Sequence, residues 1–260
     1  MDLKLSGKTA LVTGSTAGIG LAIAERLAAE GVEVSITGRS QEKLDAAAHL
    51  IGKTGKVQSV LADPATAEGA EKLIAAVPEI DILVNNLGIY EAKPFTDISD
   101  ADWHHIFEVN VVSGARITRH YFPKMLDKNW GRIIFISSES SLIIPEEMIH
   151  YGMTKTAQLS IARGLAAQTK NTGVTVNSVM PGPTRSEGII DFIKSVLPDS
   201  HSDEEAERQF FEKIRPLSLI RRFIEADEIG AMVAFLASPL AAATNGAAVR
   251  AEGGIVPTIA

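Results

Sequence analysis

The sequence predicts a single α/β domain built on a doubly wound parallel β-sheet, and three observations carry that expectation. Short β-branched runs end in turn residues and alternate with longer Ala/Leu/Glu/Lys segments. The interiors of those runs are nearly all apolar, as in strands covered by helices on both faces. No Pro-, Ser- or Gly-rich linker and no internal repeat divides the 260 residues, a length that suits one core. The β-α-β order implies right-handed crossovers, and such sheets bind ligands outside the carboxyl ends of their strands.

The first expected strand, residues 9–12, leads into Thr13-Gly14-Ser15-Thr16-Ala17-Gly18-Ile19-Gly20. Beyond it Ile19, Ile23 and Leu27, and likewise Ala24 and Ala28, recur every four residues and mark a core-facing helix that Gly31 can cap. Gly14 suits a tight strand-to-helix turn, and Gly18 and Gly20 let backbone and helix approach closely. The new helix presents free N–H groups to an anion. A plain glycine-rich turn is the alternative, but the place between a strand and an amphipathic helix favours dinucleotide binding.

The second strand, 32–37, is followed by Gly38-Arg39-Ser40. No carboxylate stands there to accept from an adenosine ribose diol and repel a 2′-phosphate, whereas Arg39 offers a planar fork for one. The expected cofactor is therefore NADP(H) in preference to NAD(H), which a basic residue here also tolerates; a solvated loop arginine is the plainer reading. Further strands are expected at 57–61, 82–84, 133–136, 174–179 and 247–251.

After the strand at 133–136 comes Ser138, whose hydroxyl would sit at the carboxyl edge of the sheet and could hold a carbonyl oxygen. Then comes Tyr151-Gly152-Met153-Thr154-Lys155. Helical positions i and i+4 share a face, so the Lys155 ammonium would lie beside the Tyr151 phenol. A neighbouring cation would lower a phenol pKa of ~10 by roughly one to three units, making tyrosine a usable acid or base.

Taken with Asp63, Asn85-Asn86-Leu87-Gly88, Asn110 and Val179-Met180-Pro181-Gly182, these motifs give the whole chain a resemblance to the short-chain dehydrogenase/reductase family, in its form of about 250 residues. The resemblance implies a Rossmann-like fold and an NAD(P)-dependent oxidoreductase that passes a hydride between nicotinamide and a carbonyl or alcohol. It implies that Tyr151 is the general acid/base, that Lys155 lowers its pKa and binds the nicotinamide ribose, and that Ser138 polarises the substrate oxygen. It implies that Asn110 holds a water linking Lys155 to solvent. It places Gly14, Ser15, Thr16, Gly18, Ile19, Gly20 and Arg39 on the cofactor, with Asp63 at the adenine and Asn86 and Gly88 at the adenosine ribose. Tyr151, Lys155, Pro181, Gly182, Thr184 and Ser186 would meet the nicotinamide half. In this sequence Leu87 replaces a small alanine, Glu139-Ser140-Ser141 puts a carboxylate beside the serine, and Glu252 replaces an aspartate before Gly253-Gly254.

Segment 187–223 mixes Ile189, Ile190, Phe192, Ile193, Phe210 and Phe211 with Asp203-Glu204-Glu205 and resembles the family's substrate-covering lid, within the single domain 1–260. His104-His105 lacks a third ligand, so no metal is expected. His150, after Glu146 and Glu147, reads as a loop histidine or as a proton-linked contact at the cavity.

Composition narrows the rest. With 25 basic and 32 acidic residues the net charge is −7, which argues against a nucleic-acid partner. The absence of cysteine excludes disulfide, Cys-metal and thiol chemistry and fits a cytoplasmic setting. The first eight residues carry no signal-type apolar run, and Ser238, Pro239, Thr244 and Asn245 interrupt the apolar stretch 230–249, so no membrane span is expected. By resemblance the chain forms a homotetramer or homodimer through the surface of 227–254. A catalytically silent NAD(P)-binding sensor, or a dehydratase or epimerase on the same fold, are the alternatives.

Overall fold

The computed structural model describes residues 1–186, 189, 193 and 202–259. Seven strands form one parallel sheet: β1 (Thr9–Val12), β2 (Glu33–Gly38), β3 (Val57–Leu61), β4 (Ile82–Asn85), β5 (Gly131–Ile136), β6 (Val174–Pro181) and β7 (Ala248–Ala251). Their spatial order is β3-β2-β1-β4-β5-β6-β7, so the chain winds outward to β3 and returns to place β4 beside β1. This Rossmann-like reversal opens a crevice above the carboxyl ends of β1 and β4.

Side chains alternate across the pleat and feed two cores. Ala10, Val12, Ile82, Val84, Ile134 and Ile136 join one cluster with the helices α1 (Gly18–Ala29) and α2 (Gln41–Ile51). Leu11, Leu83, Ile133 and Phe135 face the other side, under α3 (Ala67–Ala76), α5 (Ser113–Asp127) and α6 (Ile149–Ala166). Helix α4 (Asp100–Phe107) runs into α5 through a π turn at Glu108–Val112. Beyond β6 lie α7 (Asp203–Gln209) and α8 (Ala226–Ala237), the latter packed on α1.

The expectation of apolar strand interiors holds for the central strands and fails at an edge. In β3 Gln58, Ser59 and Leu61 are exposed, because an edge strand is covered less completely than its neighbours. The strand boundaries otherwise fall within about two residues of those expected, the scatter inherent in reading strand ends. No helix among the described residues is long and apolar enough to cross a membrane.

Helix starts differ in a way that positions the site. Ser40, Thr66 and Ser99 cap α2, α3 and α4 with their side chains. Helix α1 starts after Ala17 with no side-chain cap and no acidic residue in its first turn. Its leading N–H groups thus point unpaid by any side chain toward the crevice, the arrangement that suits an anion.

Candidate active site

A cleft of about 600 Å³ opens over the carboxyl ends of the strands. One wall is the glycine loop, where Gly14 takes a left-handed φ of 61° that favours glycine. At Gly20 a Cβ would sit 2.2 Å from the Gly14 carbonyl oxygen, so only glycine permits this close approach of helix and loop. Thr16, Gly18 and Ile19 line the same wall. Asn86 braces it from just past the end of β4: its Nδ2 donates to the carbonyls of Thr13 at 3.0 Å and Gly14 at 2.9 Å, while it, Leu87 and Gly88 also border the cleft.

The Ser15 side chain turns away from the cleft. Its hydroxyl is fully buried, donates to the Val12 carbonyl at 2.8 Å and accepts from the Thr37 N–H at 3.1 Å. Both bonds tie the loop to β1 and β2, so the side chain is committed inward and is not available to a cofactor. Arg39 and Asp63 lie beyond the cleft lining, 3.8 Å apart, with the Arg39 side chain 78% exposed. Pro181, Gly182, Thr184 and Ser186 form the opposite wall, where Thr184 Oγ1 donates to the Gly182 carbonyl and the Thr184 backbone forms a parallel bridge with Ile224.

Ser138 lies two residues past the end of β5, and Tyr151 projects from the first turn of α6 into the same cleft. The Lys155 ammonium lies 5.5 Å from the Tyr151 ring centroid and donates to the Ile136 carbonyl at 2.9 Å. Burial pulls its pKa down to about 8, a loss that Glu139 partly opposes. The phenol shift runs opposite to the one expected: burial and then the Glu139 charge push Tyr151 well above the usual tyrosine range, and the Ser138 hydroxyl lowers it only in part. The adjacent lysine does not outweigh desolvation here.

Asn110 is brought to the site between the loop after β4 and α6. Its side chain accepts from the Ile89 N–H and donates to the Ile89 carbonyl and to Thr154, which fixes the loop after β4 against α6. Its main-chain carbonyl, in the π turn, accepts from Gln158 Nε2 at 2.6 Å, and Gln158 Oε1 accepts from Lys155 at 3.4 Å. Gln158 thus bridges Lys155 and the Asn110 main chain directly. Sequence reasoning missed it, although positions 151, 155 and 158 form one polar stripe on α6.

The second unforeseen feature is ionic. Glu139 is buried, accepts from Ser138 Oγ at 2.5 Å and pairs with Arg215 Nε at 3.3 Å. Arg215, from beyond α7, also reaches Glu147 at 3.1 Å. Ser138 Oγ further accepts from the Ser140 N–H, so its own proton is engaged by Glu139. No local sequence signal pairs residues 76 positions apart.

Of the expected lid, the described part packs on the site: Ile193, Phe210 and Phe211 cluster with Met148 and the half-buried Tyr151. Glu187, Gly188, Ile190 to Phe192 and residues 194–201 lie outside the described residues. His150 is neither a loop residue nor in the cleft lining. It sits buried in the first turn of α6, edge-on to Trp103 at 5.9 Å, and burial lowers its pKa. Among the described residues no three His, Asp or Glu side chains gather to hold a metal ion. Glu252 is buried and accepts from Arg250 and from the Ile255 N–H, so it organises the C-terminal turn.

Residues 8–192 match the family model described as short chain dehydrogenase. The chain is 49% identical to an uncharacterised oxidoreductase, YvaG, of Bacillus subtilis over 100% of both chains. It is 35% identical to the 3-oxoacyl-[acyl-carrier-protein] reductase FabG of Aquifex aeolicus, covering 98% of this chain and 100% of that one. The crystal structure of L-sorbose reductase from Gluconobacter frateurii, complexed with NADPH and L-sorbose, superposes with a TM-score of 0.92 at 30% identity over 100% of both chains. Matches along the full length, on a cleft of this construction, establish that the chain belongs to the short-chain dehydrogenase/reductase family of oxidoreductases, which act on CH–OH and C=O groups.

Proposed function

We propose that this protein is an NADP(H)-preferring carbonyl reductase and alcohol dehydrogenase in which Tyr151 moves the proton. The observation that carries the reading is that Tyr151 and Ser138 face the same cleft as the uncapped start of α1. That start fits a dinucleotide: it offers unpaired N–H groups, carries no acid in its first turn, and lies across from Gly88 and Gly182. When bound, the nicotinamide supplies or takes up the hydride.

The chain's own residues then orient the cofactor and handle the oxygen. Gly14, Thr16, Gly18, Ile19 and Gly20 would hold the pyrophosphate, with Arg39 at a 2′-phosphate and Asp63 at the adenine. Asn86 and Gly88 would border the ribose, and Pro181, Gly182, Thr184 and Ser186 the nicotinamide. Tyr151 carries its proton at neutral pH, so that proton is present to be given to a carbonyl oxygen as it becomes an alkoxide. Lys155 would meet the nicotinamide ribose, and Asn110 with Gln158 would position it. The segment 187–223 would cover the substrate, a role that the packing of Ile193 and Phe210 near Tyr151 supports. NADPH in the L-sorbose reductase structure supports the cofactor choice.

A cytoplasmic setting is supported by the lack of cysteine. A homotetramer or homodimer is supported by Phe235 and Leu240, exposed on and after α8.

The test is a panel of ketones, aldehydes and alcohols followed by nicotinamide absorbance. Tyr151→Phe is expected to lower turnover by at least about 10³-fold while NADPH affinity stays within about threefold. Retained turnover in that variant overturns the proposed role.

A further inference from the structure

The wall beside Ser138 carries a buried ionic group that the hydride transfer does not itself use. Glu139 is only 5% exposed, yet it lines the cleft together with Arg215. One of its oxygens accepts from Ser138 Oγ, the other from Arg215 Nε, and Arg215 is shared with Glu147. Two carboxylates on one guanidinium leave the group acidic. Each carboxylate oxygen has two acceptor positions, so Glu139 keeps acceptor capacity toward the cleft and has no donor to offer. Such a wall attracts hydroxyl groups and repels anions.

We propose that Glu139 determines specificity by selecting uncharged substrates with a hydroxyl on the carbon next to the carbonyl, the α-hydroxy ketones of the ketose class. This rests on the carbonyl-reductase reading above. With the carbonyl oxygen at Tyr151, the neighbouring hydroxyl reaches Glu139 and donates to it. Glu139 then no longer needs the Ser138 proton, which turns onto the carbonyl oxygen. The substrate therefore completes the donor pair that stabilises the developing alkoxide. A plain ketone leaves that proton on Glu139, and a substrate carboxylate meets like charge in a poorly solvated wall.

Three four-carbon ketones test this with the purified full chain and NADPH: erythrulose, 2-butanone and acetoacetate. We expect kcat/KM for erythrulose to exceed that for either of the others by at least about tenfold. Glu139→Gln keeps the shape and removes the charge, and is expected to narrow the erythrulose-to-acetoacetate ratio by at least about tenfold, mainly through KM for acetoacetate. Glu147→Gln takes a charge from the same arginine outside the cleft lining and should narrow that ratio by clearly less than Glu139→Gln does, which separates a carboxylate that meets the substrate from net charge and loosened packing. The ratio is internal to each preparation, so partial misfolding cancels. A wild-type preference for acetoacetate or 2-butanone, or an unchanged ratio in Glu139→Gln, overturns the proposal. So does failure to turn over all three, whereas the carbonyl-reductase reading falls only if the wider panel also gives no turnover.

Discussion

On the wall formed by the glycine loop and α1, the polar groups that face the cleft are main-chain N–H groups, and the nearby side chains Ser15 and Asn86 serve to hold that backbone in place. On the wall formed by Ser138, Glu139 and Arg215, the polar groups are side chains, two of them charged and drawn from distant parts of the chain. The first wall recognises through geometry that a short segment specifies on its own. The second depends on a long-range ion pair, in which Glu139 puts a carboxylate directly beside Ser138. On the proposed reading, cofactor chemistry thus sits on local backbone structure and substrate choice on tertiary contacts.

Breaking the second wall should have the larger effect on stability. Arg215→Met leaves the Glu139 carboxylate buried without its cation, a change expected to destabilise by ~3–5 kcal/mol. Glu139→Gln together with Arg215→Met removes both charges and should recover much of that loss, measured as a denaturation cycle. The matching pair near the cofactor wall, Arg39 and Asp63, is exposed at 3.8 Å, and its removal should cost under about 1 kcal/mol. Equal costs for the two pairs would erase the contrast.

The same contrast explains what was legible in the sequence. The strands, the glycine loop, and the convergence of Ser138, Tyr151 and Lys155 follow from period, turn residues and helical spacing, all short-range rules. The direction of the Tyr151 shift did not follow, because it depends on how deeply the fold buries the phenol and on Glu139. Ser15 reads as a ligand by motif, yet two bonds turn its hydroxyl inward. Arg215 has no local pattern at all, and its partner is set by how the segment after α7 returns over the sheet.

Lys155 lies between the two walls and gives a test with a definite sign. Its pKa falls from 10.5 to about 8 in the fold. Between those values the unfolded chain binds more protons than the folded one, so stability rises with pH across that window. Relative to Lys155→Met, the wild type should therefore gain up to ~3 kcal/mol between pH 8 and 10.5, read by denaturant unfolding at each pH. A flat difference would mean that the ammonium is better solvated than its burial and its bond to the Ile136 carbonyl indicate.

The smallest effect is expected at Arg39, and its salt dependence sharpens the comparison. The side chain is 78% exposed, so its attraction for a 2′-phosphate acts largely through water. Arg39→Asp replaces that cation with a carboxylate near Asp63 and should shift the NADPH-to-NADH ratio of kcat/KM toward NADH by about tenfold at low salt. At about 0.5 M salt the shift should shrink to roughly threefold, since the screening length falls well below that at physiological strength. The selectivity change from Glu139→Gln should persist at that salt, because Glu139 is 5% exposed and its field on the cleft passes through protein. If both effects screened alike, the second wall would behave as solvated surface, and the distinction drawn from its burial would fail.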